Sequence, residues 1–80
     1  MISVSVVSAS WCSQCGPYKR ALEQAGIEYG TIDADHPDNE KFLHAHGVRG
    51  LPTTIVYKDN VLLGSVVGNN IPKLKELLND

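Results

Sequence analysis

The chain has 80 residues, of which 42% are hydrophobic and 20% charged, with two cysteines and seven Lys plus Arg against nine Asp plus Glu, a formal net charge of −2. That length allows one small domain, residues 1–80, which buries only about 60% of the surface its unfolded form exposes. The charge balance lacks the positive footprint that nucleic acid requires, and no apolar run approaches the roughly 20 residues of a membrane span.

Ile2, Val4 and Val6 alternate with Ser3 and Ser5, the period-two pattern of a strand ending near Ser8. With no positive region before it and serines throughout, this opening reads as a strand rather than a signal peptide, and a cytoplasmic protein is expected. Tyr18, Ala21, Leu22 and Ala25 then fall on one helical face, and Gly26 stands where a left-handed cap belongs. The helix is expected to begin around Cys12 or Ser13, with an irregular first turn, because Pro17 leaves the Ser13 carbonyl without its helical partner. Residues 27–33 read as a second strand, with Ile27, Tyr29 and Thr31 on one face. Asp35-His36-Pro37-Asp38 opens a second helix that runs to about His46, buries Phe42 and Leu43 and stops at Gly47. Residues 53–58 and 61–67 form a hairpin around an Asp59-Asn60 turn, with Gly64 at a bulge. A last helix starts from an Asn69 or Asn70 cap and gathers Ile71, Leu74, Leu77 and Leu78 on one face. The fold class is therefore α/β, in the order β-α-β-α-β-β-α, with a mixed four-stranded sheet covered by three helices. Leu22, Phe42, Ile55, Val66, Leu74 and Leu77 are expected in its core.

A core this thin invites a covalent staple, yet Cys12 and Cys15 enclose a loop of only four residues, which stabilises by roughly 2 kcal/mol at most. Their place where a strand hands over to a helix suggests chemistry instead. The first helical turn presents unpaired N–H groups and the positive end of the helix dipole, and both favour a thiolate. In the redox reading of C-x-x-C, the Cys12 thiolate attacks a substrate disulfide and Cys15 resolves the mixed disulfide that results. Two other readings stand beside it. The thiols could be inert and buried, or they could form half of a zinc site, for which His36, His44 and His46 are the only histidines. His44 and His46 would lie about 200° apart on a helix, so they converge poorly on one ion, and no metal is assigned. Asp33, Asp35 and Asp38 are accounted for by turn and capping roles.

Trp11-Cys12-x-x-Cys15 resembles the active-site motif of the thioredoxin superfamily. Val48-Arg49-Gly50-Leu51-Pro52-Thr53 is similar to its cis-proline loop, and Val67-Gly68 to its substrate-groove glycine segment. The match runs from Ile2 nearly to the last residue, at glutaredoxin size, without counterparts of the first strand and helix of full-length thioredoxins. Cys12-Ser13-Gln14-Cys15, with Tyr18-Lys19-Arg20-Ala21-Leu22 and Ala25-Gly26-Ile27-Glu28-Tyr29, also resembles the small NrdH-type redoxins. Those donate electrons to class Ib ribonucleotide reductase and are recycled by thioredoxin reductase.

The resemblance implies a minimal thioredoxin fold, a cis Leu51-Pro52 bond and a substrate groove framed by Trp11, Ser13, Gln14, Gly50, Leu51, Pro52 and Gly68. It implies a monomeric thiol-disulfide oxidoreductase needing no cofactor beyond its own redox-active disulfide. Protein disulfides would be the substrates, ribonucleotide reductase a candidate partner and thioredoxin reductase the reductant. Two departures qualify the pattern. Val6 stands where thioredoxins carry a buried acid that accepts a proton from the second cysteine, and Val67-Gly68-Asn69-Asn70 lacks the Gly-Gly and acidic residues of glutathione-using glutaredoxins. The alternatives are a glutathione-coupled glutaredoxin and a redox-inert module that binds peptides.

Overall fold

The valine and serine alternation folds as strand β1 (Ile2–Ser8) in the computed structural model, which describes residues 1–79. After it come α1 (Cys15–Gln24), β2 (Gly30–Asp33), a single 3-10 turn (Pro37–Asn39) running into α2 (Glu40–Ala45), the hairpin β3 (Thr53–Lys58) and β4 (Val61–Val67), and α3 (Ile71–Leu78). The sheet order is β2-β1-β3-β4, with β1 parallel to β2 and antiparallel to β3, and β3 antiparallel to β4. The element order and mixed sheet expected from the sequence are both present. No helix among the described residues is long and apolar enough to cross a membrane.

Two boundaries differ from expectation, each for a local reason. Helix α1 starts at Cys15, not at Cys12 or Ser13. Pro17 thereby becomes the third helical residue, where an N–H would have no intrahelical partner, so its missing donor costs nothing. Ser13 stays outside the helix, in turns closed by Cys12 N–H to Ala9 O at 3.1 Å and Cys15 N–H to Cys12 O at 3.4 Å. Strand β2 is shorter than expected because Ile27 belongs to the end of α1. The Gly26 N–H donates to Glu23 O and the Ile27 N–H to Leu22 O, a Schellman motif with Gly26 at φ +73°. Gly47 and Val48 close α2 the same way on His44 and Leu43. At the start of the 3-10 turn it is His36 that caps, its Nδ1 accepting from the Asp38 N–H.

Asp59 and Asn60 both take positive φ, 50° and 70°, as a two-residue hairpin turn requires. Val56 pairs with Gly64 but Tyr57 with Leu62, which leaves Leu63 as the extra residue of a bulge. A Cβ at Gly64 would sit 3.2 Å from Leu77 Cδ2, so the glycine lets α3 close on the sheet. The α3 cap is Asn70, whose side chain accepts from the Lys73 N–H.

The core lies where α1 and α3 meet one sheet face. Tyr18, Leu22 and Leu74 pack with Val6, Val56 and Val66, all at most 1% exposed. Ile55 and Val7 are buried as well. Phe42, expected inside, is only partly buried, as is Leu43, because both sit on α2, which has six residues and no buried side chain. Leu77, also expected inside, is partly buried and packs from α3 against the cluster rather than within it. Phe42 stacks on His46, with ring centroids 4.1 Å apart. The His46 Nδ1–H donates to the Phe42 carbonyl at 2.8 Å, which leaves Nε2 to accept from the Tyr57 hydroxyl at 2.6 Å.

One polar pair interrupts the apolar cluster: the buried Tyr18 and Thr54 hydroxyls share a hydrogen bond. Burial raises the Tyr18 pKa above its ordinary value of 10.0, and the Thr54 bond offsets this in part. The unfolded chain therefore ionises this tyrosine before the folded one does. Its contribution to stability is complete below about pH 10 and is lost as pH rises through the folded pKa. Urea melts at pH 8 and at pH 10.5 should show wild type weakening over that interval and Tyr18→Phe weakening less.

Candidate active site

Register places the pieces. Ser8 pairs with Asp33, Val7 with Thr53, and Thr53 with Val67. The loop after β1, the loop before β3, the residues after β4 and the turn after β2 therefore all emerge at one end of the sheet. The sequence-predicted residues are distributed over the first three of these segments. Trp11, Cys12, Ser13 and Gln14 follow β1, Gly50, Leu51 and Pro52 precede β3, and Gly68 follows β4.

Cys12 and Cys15 form a disulfide with Cα atoms 5.5 Å apart, within the ordinary range. The reading of both thiols as inert and buried does not fit. Cys15 is only 3% exposed, whereas Cys12 is half-buried. Cys15 is the first residue of α1, whose cap residue Gln14 makes no side-chain bond and whose first turn holds no acid. The positive end of the helix is thus uncompensated by the chain itself and acts on the sulfur pair. Because the ring is small, reduction should lower stability by about 2 kcal/mol or less. Urea midpoints with and without reductant measure this, and a collapse of the fold on reduction would contradict it.

Around the pair, Ser13 and Gln14 are exposed, Gly50 and Leu51 half-buried, and Pro52 buried. The Leu51-Pro52 bond is cis, as the resemblance implied. The loop is fastened at both ends. The Thr53 hydroxyl donates to Gly50 O, and the Gly68 N–H, at φ +78°, donates to Pro52 O at 2.7 Å. Val6 is fully buried in the apolar cluster, so this position of β1 offers no carboxylate beneath the site.

Trp11 is 67% exposed and so lies outside the core. Its indole N–H donates to Asp35 Oδ1 at 2.9 Å. Sequence reasoning gave Asp35 only a turn or capping role and missed this contact. The available signal was that a tryptophan in a surface loop carries a donor in want of an acceptor, but three aspartates lie within residues 33–38 and spacing does not choose among them. Asp35 also lines a cleft of about 440 Å³ with Ser8, Ser10, Lys19, Thr31 and Asp33.

No protein-family model matches the chain. Among curated proteins, a thioredoxin of Rhodospirillum rubrum is 32% identical over 73 residues, 84% of this chain and 67% of that protein. Thioredoxin-2 of Pyricularia oryzae is 32% identical over 76 residues, 88% of this chain but 43% of the relative. The glutaredoxin-like protein NrdH of Salmonella typhimurium is 34% identical over 55 residues, 68% of each chain. The chain thus spans less than half of the Pyricularia protein and about two thirds of the other two. Among solved structures, thioredoxin from Trypanosoma brucei brucei superposes with a TM-score of 0.80 at 28% identity, over 100% of this chain and 74% of its own. Spinach chloroplast thioredoxin F, at 23% identity, shares the fold with a TM-score of 0.82 over 98% of this chain and 73% of its own. With the fold, the helix-start cysteine pair and these relatives in agreement, the chain belongs to the thioredoxin superfamily and is a thiol-disulfide oxidoreductase built on the Cys12-Cys15 couple.

Proposed function

We propose that the chain is a monomeric, cytoplasmic reductase of protein disulfides, one domain over residues 1–80, kept reduced by a thioredoxin-reductase-type flavoprotein. The observation that carries this reading is the unequal burial of the pair, with Cys12 accessible and Cys15 3% exposed. The Cys12 thiolate attacks one sulfur of the substrate disulfide and forms a mixed disulfide, releasing the other substrate sulfur as a thiolate. Cys15 loses its proton to water and attacks Cys12, which expels the second substrate thiolate and leaves Cys12-Cys15 oxidised. Two electrons have passed to substrate, and the couple itself serves as the redox group, with no further cofactor.

Trp11, Ser13, Gln14, Gly50, Leu51, Pro52 and Gly68 frame the groove that receives the substrate. The Leu51 backbone offers strand-like pairing to an extended segment. The NrdH-like stretch supports ribonucleotide reductase as one acceptor of electrons. The test follows insulin disulfide reduction with NADPH and thioredoxin reductase, and in parallel with glutathione and glutathione reductase. Turnover with the first system supports the proposal, whereas turnover with glutathione alone replaces it by a glutaredoxin assignment.

A further inference from the structure

Trp11 is a large exposed aromatic beside the disulfide. Such a side chain on a loop samples several rotamers unless something fixes it, and a partner must then select one at an entropic cost. Here the indole N–H is held by Asp35 Oδ1 at 2.9 Å. Asp35 is itself held, since its N–H donates to Asp33 Oδ1 at 2.9 Å. The same turn is anchored by the Ala34 N–H donating to Ser8 O at 2.8 Å and the Asn39 side-chain amide donating to Asp33 O at 2.9 Å. Asp33 and Ser8 are paired residues of β2 and β1. The bonds therefore run without a break from the sheet, through the turn after β2, to the indole beside Cys12.

From this chain of contacts we infer that Asp35 is a positioning residue for Trp11: it presets the indole for a protein substrate, and so governs affinity for extended substrates rather than the exchange step at sulfur. The inference rests on the preceding reading that protein disulfides are the substrates. Its chemical content is an acceptor at a fixed place, not a charge. An asparagine side-chain oxygen can accept the same indole proton, whereas alanine cannot. A role through charge, by attracting a basic partner or acting on the thiolate, would make the two substitutions equally damaging.

The experiment varies insulin concentration with dithiothreitol as reductant and compares wild type, Asp35→Ala and Asp35→Asn. Asp35→Ala should raise KM roughly fivefold with kcat within about twofold, and Asp35→Asn should stay close to wild type in both. Trp11 is the only tryptophan, so its fluorescence anisotropy reports the lock without any turnover. It should fall in Asp35→Ala and hold in Asp35→Asn. A wild-type KM in Asp35→Ala, equal damage in the two variants, or unchanged anisotropy would each overturn the inference. If Asp35→Ala does not fold, Trp11→Phe, which keeps a ring but loses the N–H, should show the same rise in KM. A wild-type chain unable to reduce insulin would count against the substrate reading alone, and the anisotropy comparison would then decide Asp35.

Discussion

Cys12→Ser is expected to abolish protein-disulfide reduction, on the order of a thousandfold or more, while Cys15→Ser stops after one event with substrate still attached. The asymmetry follows from position. Cys12 lies in the loop before α1 and is reachable, whereas Cys15 is buried as the first residue of the helix. A serine hydroxyl at position 12 stays protonated near neutral pH and is a poor nucleophile toward sulfur, so no mixed disulfide forms. A serine at position 15 leaves the first attack intact but removes the group that releases the product. Mass spectrometry of the two variants after incubation with oxidised insulin separates these outcomes. A covalent adduct should accumulate in Cys15→Ser and be absent in Cys12→Ser. The reverse pattern would exchange the two roles, and full turnover by either variant would refute the mechanism.

The second large effect is on the fold. Leu22 is fully buried against Val6, Tyr18, Val56, Val66 and Leu74. Leu22→Ala should cost about 2–5 kcal/mol, against a total stability of roughly 4–12 kcal/mol for a chain of this size. Urea titration should find the variant's midpoint well below that of the wild type, by an amount corresponding to that loss. Leu62→Ala, at a residue of β4 that is 51% exposed, should change stability by less than about 0.5 kcal/mol. The consequence reaches the chemistry, because Tyr18 and Leu22 are the residues that seat α1, and α1 begins with Cys15. A small loss at Leu22 would mean that the core is held elsewhere.

Much of this molecule is legible in the residues because local signals agree with the global arrangement. The hairpin is an example: β-branched residues flank a turn pair that tolerates positive φ, and Gly64 marks the bulge. The cysteine pair is another, since its spacing excludes a useful staple and its place at a helix start supplies a reason for reactivity. What could not be read depended on hydrogen bonds between segments distant in sequence, or on competition at element ends. Ile27 has the composition of a strand residue, but its N–H serves the cap of α1, and only the sheet register shows where β2 begins. Pro17 was read as a disturbance inside a helix, when it fixes where that helix starts. Asp35 looked like a turn residue and is also an acceptor for a side chain 24 positions away.

The order β2-β1-β3-β4 has a bearing on how such a protein can diverge. The redox loop leaves β1 and the proline loop enters β3, the two strands paired on both sides, while Asp35 and Gly68 lie just beyond the edge strands β2 and β4. Sulfur chemistry is thereby mounted on the central pair of strands, and residues that shape its surroundings sit on the two margins. Insertions or exchanges on either margin can retune which partner docks without moving the reacting atoms. A single small scaffold can in this way keep one reaction while its clientele changes.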